Sequence, residues 1–368
     1  MSETPLQTDH LNRSSNSRTN YSFEELLDDG QYAEPLIANG VRCHGGFDED
    51  GRYRSPRTRH RLPAIATWQA ALQESGGELL EISKALIPPQ YPNVDQAILL
   101  CRHGVRDPVV RALTVISVVE GFGAVIRDVK LPDFDRVLVE PIEGTALAHL
   151  GQGLFEAHAR DEAGWGDQGG HKQMWEAARD LAFENPKIPQ DVLMRIMGGG
   201  GRRARKRERL FPQIDETLES MIMMLSNVLL VEVFAEQVFS WGHAVLSNPE
   251  ISAEPDRASA MVSYIQSDEN PHVEYLRVAL SELAARTFRT VDDKTLPGRE
   301  VVFGMLHTLL SQMTRSRPEE QKDQARESLH AALQGLEHRQ SIEEEFRSLE
   351  TVWTPPAKTG FEQMSAEL

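Results

Sequence analysis

Hydrophobic positions are densest between Met221 and Trp241, an apolar run broken only by Ser226, Asn227, Glu232, Glu236, Gln237 and Ser240. The run is too long for a strand and suits a helix buried on most sides. An ionised carboxylate in an apolar interior is costly unless it is paired or bound to a cation. Two glutamates in this run therefore need a partner, and Asp268-Glu269-Asn270-Pro271-His272 follows one hairpin later. The same acids argue against a membrane span, because each costs several kcal/mol, roughly, in a lipid-facing helix. A buried bundle helix is expected.

Helical spacing recurs along the chain, over Ala64–Glu74, Glu78–Leu86, Val94–Arg102 and Pro108–Ile126. The last is rich enough in Val and Ile to suit a strand, but its neighbours favour a helix. A longer helix is expected from Phe134 to Arg160, where Gly144, Ala146, Ala148, Gly151 and Gly153 would let a second helix approach closely. The glycine-rich stretch 164–170 stops it, and His171–Glu184 follows with Met174, Trp175, Ala178, Leu181 and Ala182 as its apolar stripe. These two helices make one hairpin. Pro212–Leu246 and Arg257–Thr287, the latter capped by Asp256, make the second. Val301–Gln312, Pro318–Gln334 and His338–Leu349 are further helices, Tyr21–Pro63 reads as irregular surface, and the Ser-, Asn- and Thr-rich 1–22 as a disordered tail. The fold class is all-α: a four-helix bundle over 134–290, flanked by accessory helices in 23–133 and 291–368.

A chain of 368 residues with 40% hydrophobic content can bury a sizeable core. Its net charge of −17 argues against a nucleic-acid partner and favours cations. With only Cys43 and Cys101, a disulfide framework is not expected and a thiolate-rich metal site is excluded. No signal-peptide pattern opens the chain, so the cytoplasm is the default location. The arginine-rich segment 198–210 reads as a linker, with an anion-binding role as the alternative. It lacks the spacing of a phosphate-cradling Walker loop.

In the second hairpin, Glu236 lies 16 residues before the expected midpoint at Ser252 and Glu269 lies 17 after it. At about 1.5 Å rise per residue the two sit at nearly the same height on antiparallel helices. His272 is three residues beyond Glu269, so imidazole and carboxylate share one helix face. Oxygen and nitrogen donors without sulfur suit iron or manganese. Glu232, one turn before Glu236, is the alternative ligand or a group that orients an imidazole. For His149, His158 and His243, structural hydrogen bonding is expected.

Glu236 together with Asp268-Glu269-Asn270-Pro271-His272-Val273-Glu274-Tyr275-Leu276 resembles the second half of the ferritin-like di-iron carboxylate proteins, the rubrerythrin and oxidase branches included, over about 80 residues. The resemblance implies a first half with a helix-borne glutamate, for which Glu143 and Glu156 are candidates, followed by Glu-x-x-His. The chain instead offers Gln168-Gly169-Gly170-His171, with Asp167 as a substitute acid, and Asp161-Glu162-Ala163-Gly164-Trp165, with tryptophan in the histidine position. The implied metal ligands are thus Glu143 or Glu156, His171, Glu236, Glu269 and His272. They would hold two iron ions, or manganese, in an oxidase or oxygenase acting on a small organic substrate with dioxygen and an electron donor. The protein could also assemble as a homo-oligomer. From another class, the rival is a non-catalytic helical scaffold with a degenerate metal site.

Overall fold

The computed structural model describes residues 18–188 and 208–354. The described chain is predominantly helical, with two small antiparallel sheets. The first sheet, β1 (Glu34–Ala38), β2 (Val41–Phe47) and β3 (Tyr53–Arg54), lies in the segment expected to be irregular. Its β1–β2 turn is Asn39-Gly40, both at positive φ, the pair that suits a tight hairpin. That signal was present in the sequence and points to a strand pair. Residues 18–22 are also ordered by contacts, since Thr19 accepts a hydrogen bond from the Trp68 indole and Ser22 caps a short helix.

Among the longer helices, α1 is Arg61–Glu74, α2 is Val94–Arg102, α3 is Asp107–Gly123, α4 is Phe155–Ala163 and α5 is His171–Phe183. These are followed by α6 (Glu216–Leu246), α7 (Pro255–Asp268) and α8 (Asn270–Ala284). After the β4–β5 hairpin (Thr287–Arg289, Thr295–Pro297) come α9 (Gly298–Ser311), α10 (Arg317–Ala332) and α11 (Arg339–Ser348). Helix α6 begins where Asp215 accepts from the amides of Thr217 and Leu218, a few residues later than Pro212. The helix expected over 78–86 is reduced to one short turn, Lys84–Leu86.

The helix expected over 134–160 is broken into pieces. Phe134–Val137 and Ala146–His149 are single turns, and Leu150–Leu154 is a widened turn that holds Gly153 at φ +135°. Pro141 and Gly144 interrupt the pattern, and Gly153 sits against Leu26 where a side chain would collide. The helix expected over 257–287 is likewise split, because Pro271 removes a donor and the ladder breaks at Glu269. Helix α7 starts at Pro255, and Asp256 does not cap it.

Helix α3 packs on α5 and α4, α5 on α7, and α6 on both α7 and α8. Helix α8 also meets α1 and α9. Two of the three apolar clusters among the described residues flank the polar layer. One gathers the first half of α6 through Leu230 with Tyr275, Leu276, Leu280 and α9. The other gathers Phe239, Trp241 and Val245 of α6 with α3, α5 and α7. Glu232 lies between the two, at the polar layer. By length and composition, Asp107–Asp128 and Glu216–Leu246 are apolar enough to cross a membrane. In this fold each is partly covered and carries a glutamate inward.

One buried acid outside that layer links fold to pH. Glu282 accepts from the amides of Ala146 and Leu147, at 3.0 and 3.1 Å. Burial outweighs these bonds and pushes its carboxyl up from 4.5 to about 7. The folded state therefore keeps a proton that the unfolded chain releases, and stability falls as pH rises between those values, by an order of 3 kcal/mol. In Glu282→Gln, denaturant midpoints measured from pH 5 to 8 should lose most of this slope.

Candidate metal centre

Six elements converge on the polar layer: α3 with Glu120, α4 with His158, Asp161 and Glu162, α5 with His171, α6 with Glu232, and the α7–α8 break with Asp268, Glu269 and His272. All but Glu120 are buried, and Glu120 stands half-buried at the edge of the layer. One donor atom from each of Glu162, His171, Glu269 and His272 lies within 4.8 Å of the others, as does one from each of His158, Glu162, Glu232 and His272. The groups share Glu162, whose two oxygens could serve adjacent cations, and His272, whose one inward nitrogen could serve only one of them.

The contacts repeat in two crossed halves. Nδ1 of His171 lies 3.2 Å from Glu162 and 3.0 Å from Glu269. Nδ1 of His272 lies 3.2 Å from Glu162 and 2.7 Å from Glu269. The far nitrogen of each ring faces the aspartate of the opposite half. His272 Nε2 is 2.8 Å from Asp161, and His171 Nε2 is 3.6 Å from Asp268. By taking the outer N–H of His272, Asp161 leaves its Nδ1 free to face inward, the usual arrangement behind a metal-bound imidazole, whereas His171 Nε2 stands without a hydrogen bond. Asp161 is held in turn by Arg57 and Arg61, both buried. Asp268 accepts from the Tyr53 hydroxyl at 2.8 Å and faces His44 Nε2 at 3.4 Å.

Several close atoms do not point at one another. His158 Nε2 is 3.3 Å from Glu232, and Glu269 Oε1 is 3.0 Å from His171, yet both atoms are buried without a hydrogen bond. Buried polar atoms left in this way are uncommon and ask for an ion or water. Atoms that crowd together without bonding one another fit a shared cation.

The electrostatics agree. Burial opposes the anion of Glu162, but the imidazoles of His171 and His272 bring its carboxyl down to about 2. Burial also opposes charge on His171 and His272, yet Glu269 and the other acids hold both well above the ordinary histidine value. Glu120 and Glu232 are pushed well up, first by burial and then by the charges of Glu162 and Glu269. Without a cation, protons must neutralise them. Two divalent ions would balance the four glutamates and displace those protons.

Of the residues expected from sequence, His171, Glu269 and His272 meet in this cluster. Glu236 does not: it points outward to Lys84 at 2.6 Å, and Glu232, one turn earlier, takes its place. The actual turn, 247–254, is centred before Ser252, and the break at Glu269 alters the register, so equal heights pair Glu269 with Glu232. Glu156 is bound to Arg127 and Arg160. Glu143 is exposed in the broken segment. Asp167 is exposed near Arg42, and Gln168 forms a backbone turn with Trp165. The acid serving His171 is Glu162. His149 is structural, bonded to Thr145 and Tyr21, and His243 is exposed. Of the arginine-rich segment, residues 198–207 lie outside the described residues, whereas Arg209 pairs with Glu219.

Glu120, His158 and His44 were not expected as site residues. Glu120 carried the same signal as Glu232, a lone acid in an apolar helix, and could have been found that way. The repeated Asp-Glu pair at 161–162 and 268–269 marked both halves, but Glu162 and His171 are nine residues apart where Glu269 and His272 are three. The loop between α4 and α5 makes up the difference. It is clasped by β2 through His44 N to Gly169 O at 2.9 Å and Gly169 N to Arg42 O at 2.8 Å. Gly170 backs directly onto the Asp161 and Glu162 carbonyls, where no side chain fits.

No family model, curated protein or solved structure matches the chain.

A cavity of about 780 Å³ reaches the centre from one side. Glu120, Glu162 and Glu232 line it together with Val115, Val119, Phe122, Val231, Phe234 and Ala235. Asp268, Glu269 and both inner histidines stand behind these carboxylates, outside the cavity lining.

Proposed function

We propose that the chain is a ferritin-like dimetal carboxylate protein, an oxidase or oxygenase that uses dioxygen on a largely apolar organic substrate. The observation that carries this reading is the crossed pair of half-sites, Asp161-Glu162 with His171 and Asp268-Glu269 with His272, completed by Glu120 and Glu232. This set has the donor types of a dimetal bundle site, four glutamates and two histidines, although the first pair is split between α4 (Glu162) and α5 (His171) where the bundle pattern carries both on one helix. Four carboxylates and nitrogen donors without sulfur suit iron, or manganese. Such ions, when bound, supply the redox chemistry with dioxygen.

The protein's own residues hold and shield the site. Asp161 fixes the ring plane of His272, Asp268 lies 3.6 Å from His171 Nε2, and Arg57 and Arg61 keep Asp161 ionised. The aliphatic and aromatic walls on α3 and α6 exclude water and orient an apolar substrate against the carboxylate face. An external electron donor is part of the proposal, as is a cytoplasmic setting without membrane or nucleic-acid partners. Assembly as a homo-oligomer is compatible with it.

Iron analysis tests the reading. Protein from iron-supplemented culture should hold about two iron ions per chain, as dimetal bundle sites do, and should consume dioxygen after anaerobic reduction. A chain that binds no iron under anaerobic ferrous loading is instead the helical scaffold with a degenerate site. The cavity makes a separate prediction. Ala235→Phe narrows the cavity three residues beyond Glu232 and should leave iron content unchanged. Apolar probe binding should weaken by at least roughly tenfold, the scale of penalty that small misfits bring in such pockets.

A further inference from the structure

We propose that Trp175 is the positioning residue for Glu120, donating its indole N–H to one carboxylate oxygen and keeping that side chain turned toward the metal centre. The inference rests on the dimetal reading and adds what holds its one half-buried donor in place.

Glu120 lines the cavity and is only half-buried, so its flexible side chain has rotamers that point away from the centre. Trp175 Nε1 lies 3.1 Å from Glu120 Oε1 and donates to it. The indole is completely buried and does not line the cavity, so it reaches Glu120 from the core side. Its ring stacks on Phe239 of α6, with centroids 5.9 Å apart and planes inclined by 15°. Gly242, on the same helix, leaves room for the far edge of the ring, since a side chain there would collide with it. Helix α5, which carries Trp175, packs on α3, which carries Glu120. The ring is thus fixed from several sides, and its hydrogen bond holds only while the Glu120 carboxyl group faces inward.

By spacing alone Trp175 belongs to the apolar stripe of α5, and it does pack there. A buried indole N–H also needs a partner, and Glu120 is that partner. Trp175 stands four residues after His171, one turn along the same helix face, so α5 supplies one donor of the centre and the group that holds another. The hydrogen bond engages one oxygen of Glu120 and leaves the other for a cation. Glu232, the counterpart of Glu120 on α6, faces His158 Nε2 at 3.3 Å without a hydrogen bond from it. The two single glutamates therefore differ in how firmly they are held. The two cations should differ in affinity accordingly, with the tighter one on the side of Glu120 and His171.

The test is anaerobic titration of the full metal-free chain with ferrous iron against a chelator, which reads two affinities. Trp175→Phe keeps a ring against Phe239 but lacks the N–H. Its tighter affinity should fall by about 10–100-fold, the usual effect of losing a group that orients a metal-binding side chain, and its weaker one should not change. Benzothienylalanine in place of Trp175 keeps the fused-ring shape with sulfur where the N–H stood, and should give the same loss; a packing role alone predicts none. Glu120→Ala should lose the same ion, and adding Trp175→Phe to it should leave the remaining affinity where it was. Two unchanged affinities in the benzothienylalanine protein, or an equal fall in both, overturns the positioning role and leaves the dimetal centre standing. A wild-type chain that takes up fewer than two ferrous ions overturns the dimetal reading, and this inference with it.

Discussion

Glu269→Ala should abolish iron retention, whereas Glu236→Ala should leave it intact. Glu269 approaches both inner imidazoles, at 3.0 and 2.7 Å, and is one of the four donors of the group it forms with Glu162, His171 and His272. Its removal takes an oxygen donor from that group and leaves a binding set of the wrong charge. Glu236 touches only Lys84 at the surface and has no role in the centre. The pair therefore separates the polar layer from a mere count of acids on α6. Thermal unfolding with and without ferrous iron provides a second readout. A ligand at about a thousand times its dissociation constant adds roughly 4 kcal/mol of stability, so wild type and Glu236→Ala should gain it and Glu269→Ala should not. Equal gains in all three would place the metal elsewhere.

Asp161→Ala should be the most destabilising single change near the site. Arg57 and Arg61 are almost completely buried, and Asp161 is the anion between them. Truncating one member of a buried ion pair typically costs about 3–5 kcal/mol, because the remaining charge stays desolvated and unpaired. Here two guanidinium groups would be left, Arg57 keeping Asp29 at 2.8 Å and Arg61 keeping only the Pro56 carbonyl at 3.5 Å. Asp161→Asn separates stability from metal affinity. It keeps an acceptor for the His272 ring but loses the charge, and should lower iron affinity by about 10–100-fold, the usual effect of weakening a group behind a metal-bound imidazole. Urea denaturation of the metal-free proteins measures the first effect, and competition with a chelator the second. An Asp161→Ala variant as stable as wild type would mean that Arg57 and Arg61 find other anions or water.

The pairing of an acid on α6 with Glu269 and His272 was legible because helical periodicity and the i, i+3 spacing are local properties. Choosing between Glu232 and Glu236 was not local. It depended on where the 247–254 turn closes and on the break imposed by Pro271, which together shift the facing residue by one helical turn. The first half-site was hidden for a related reason. Trp165 occupies the position where a histidine would complete the motif, and the chain reaches His171 only after a loop that a distant strand holds in place. Glu120 was passed over because α3 was read as an accessory helix, before the region taken as the bundle.

By itself the sequence determined the predominantly helical class, most helix boundaries to within a few residues, and the carboxylate-imidazole pair on α8 and its approach. These follow from side-chain spacing within one element. Only the tertiary structure decided which glutamates face inward, that Asp161 and Asp268 serve each other's histidines, and that Tyr53 stands behind one of them. Those relations join residues about a hundred or more positions apart, and no local pattern encodes the depth and rotation at which packed helices present their side chains.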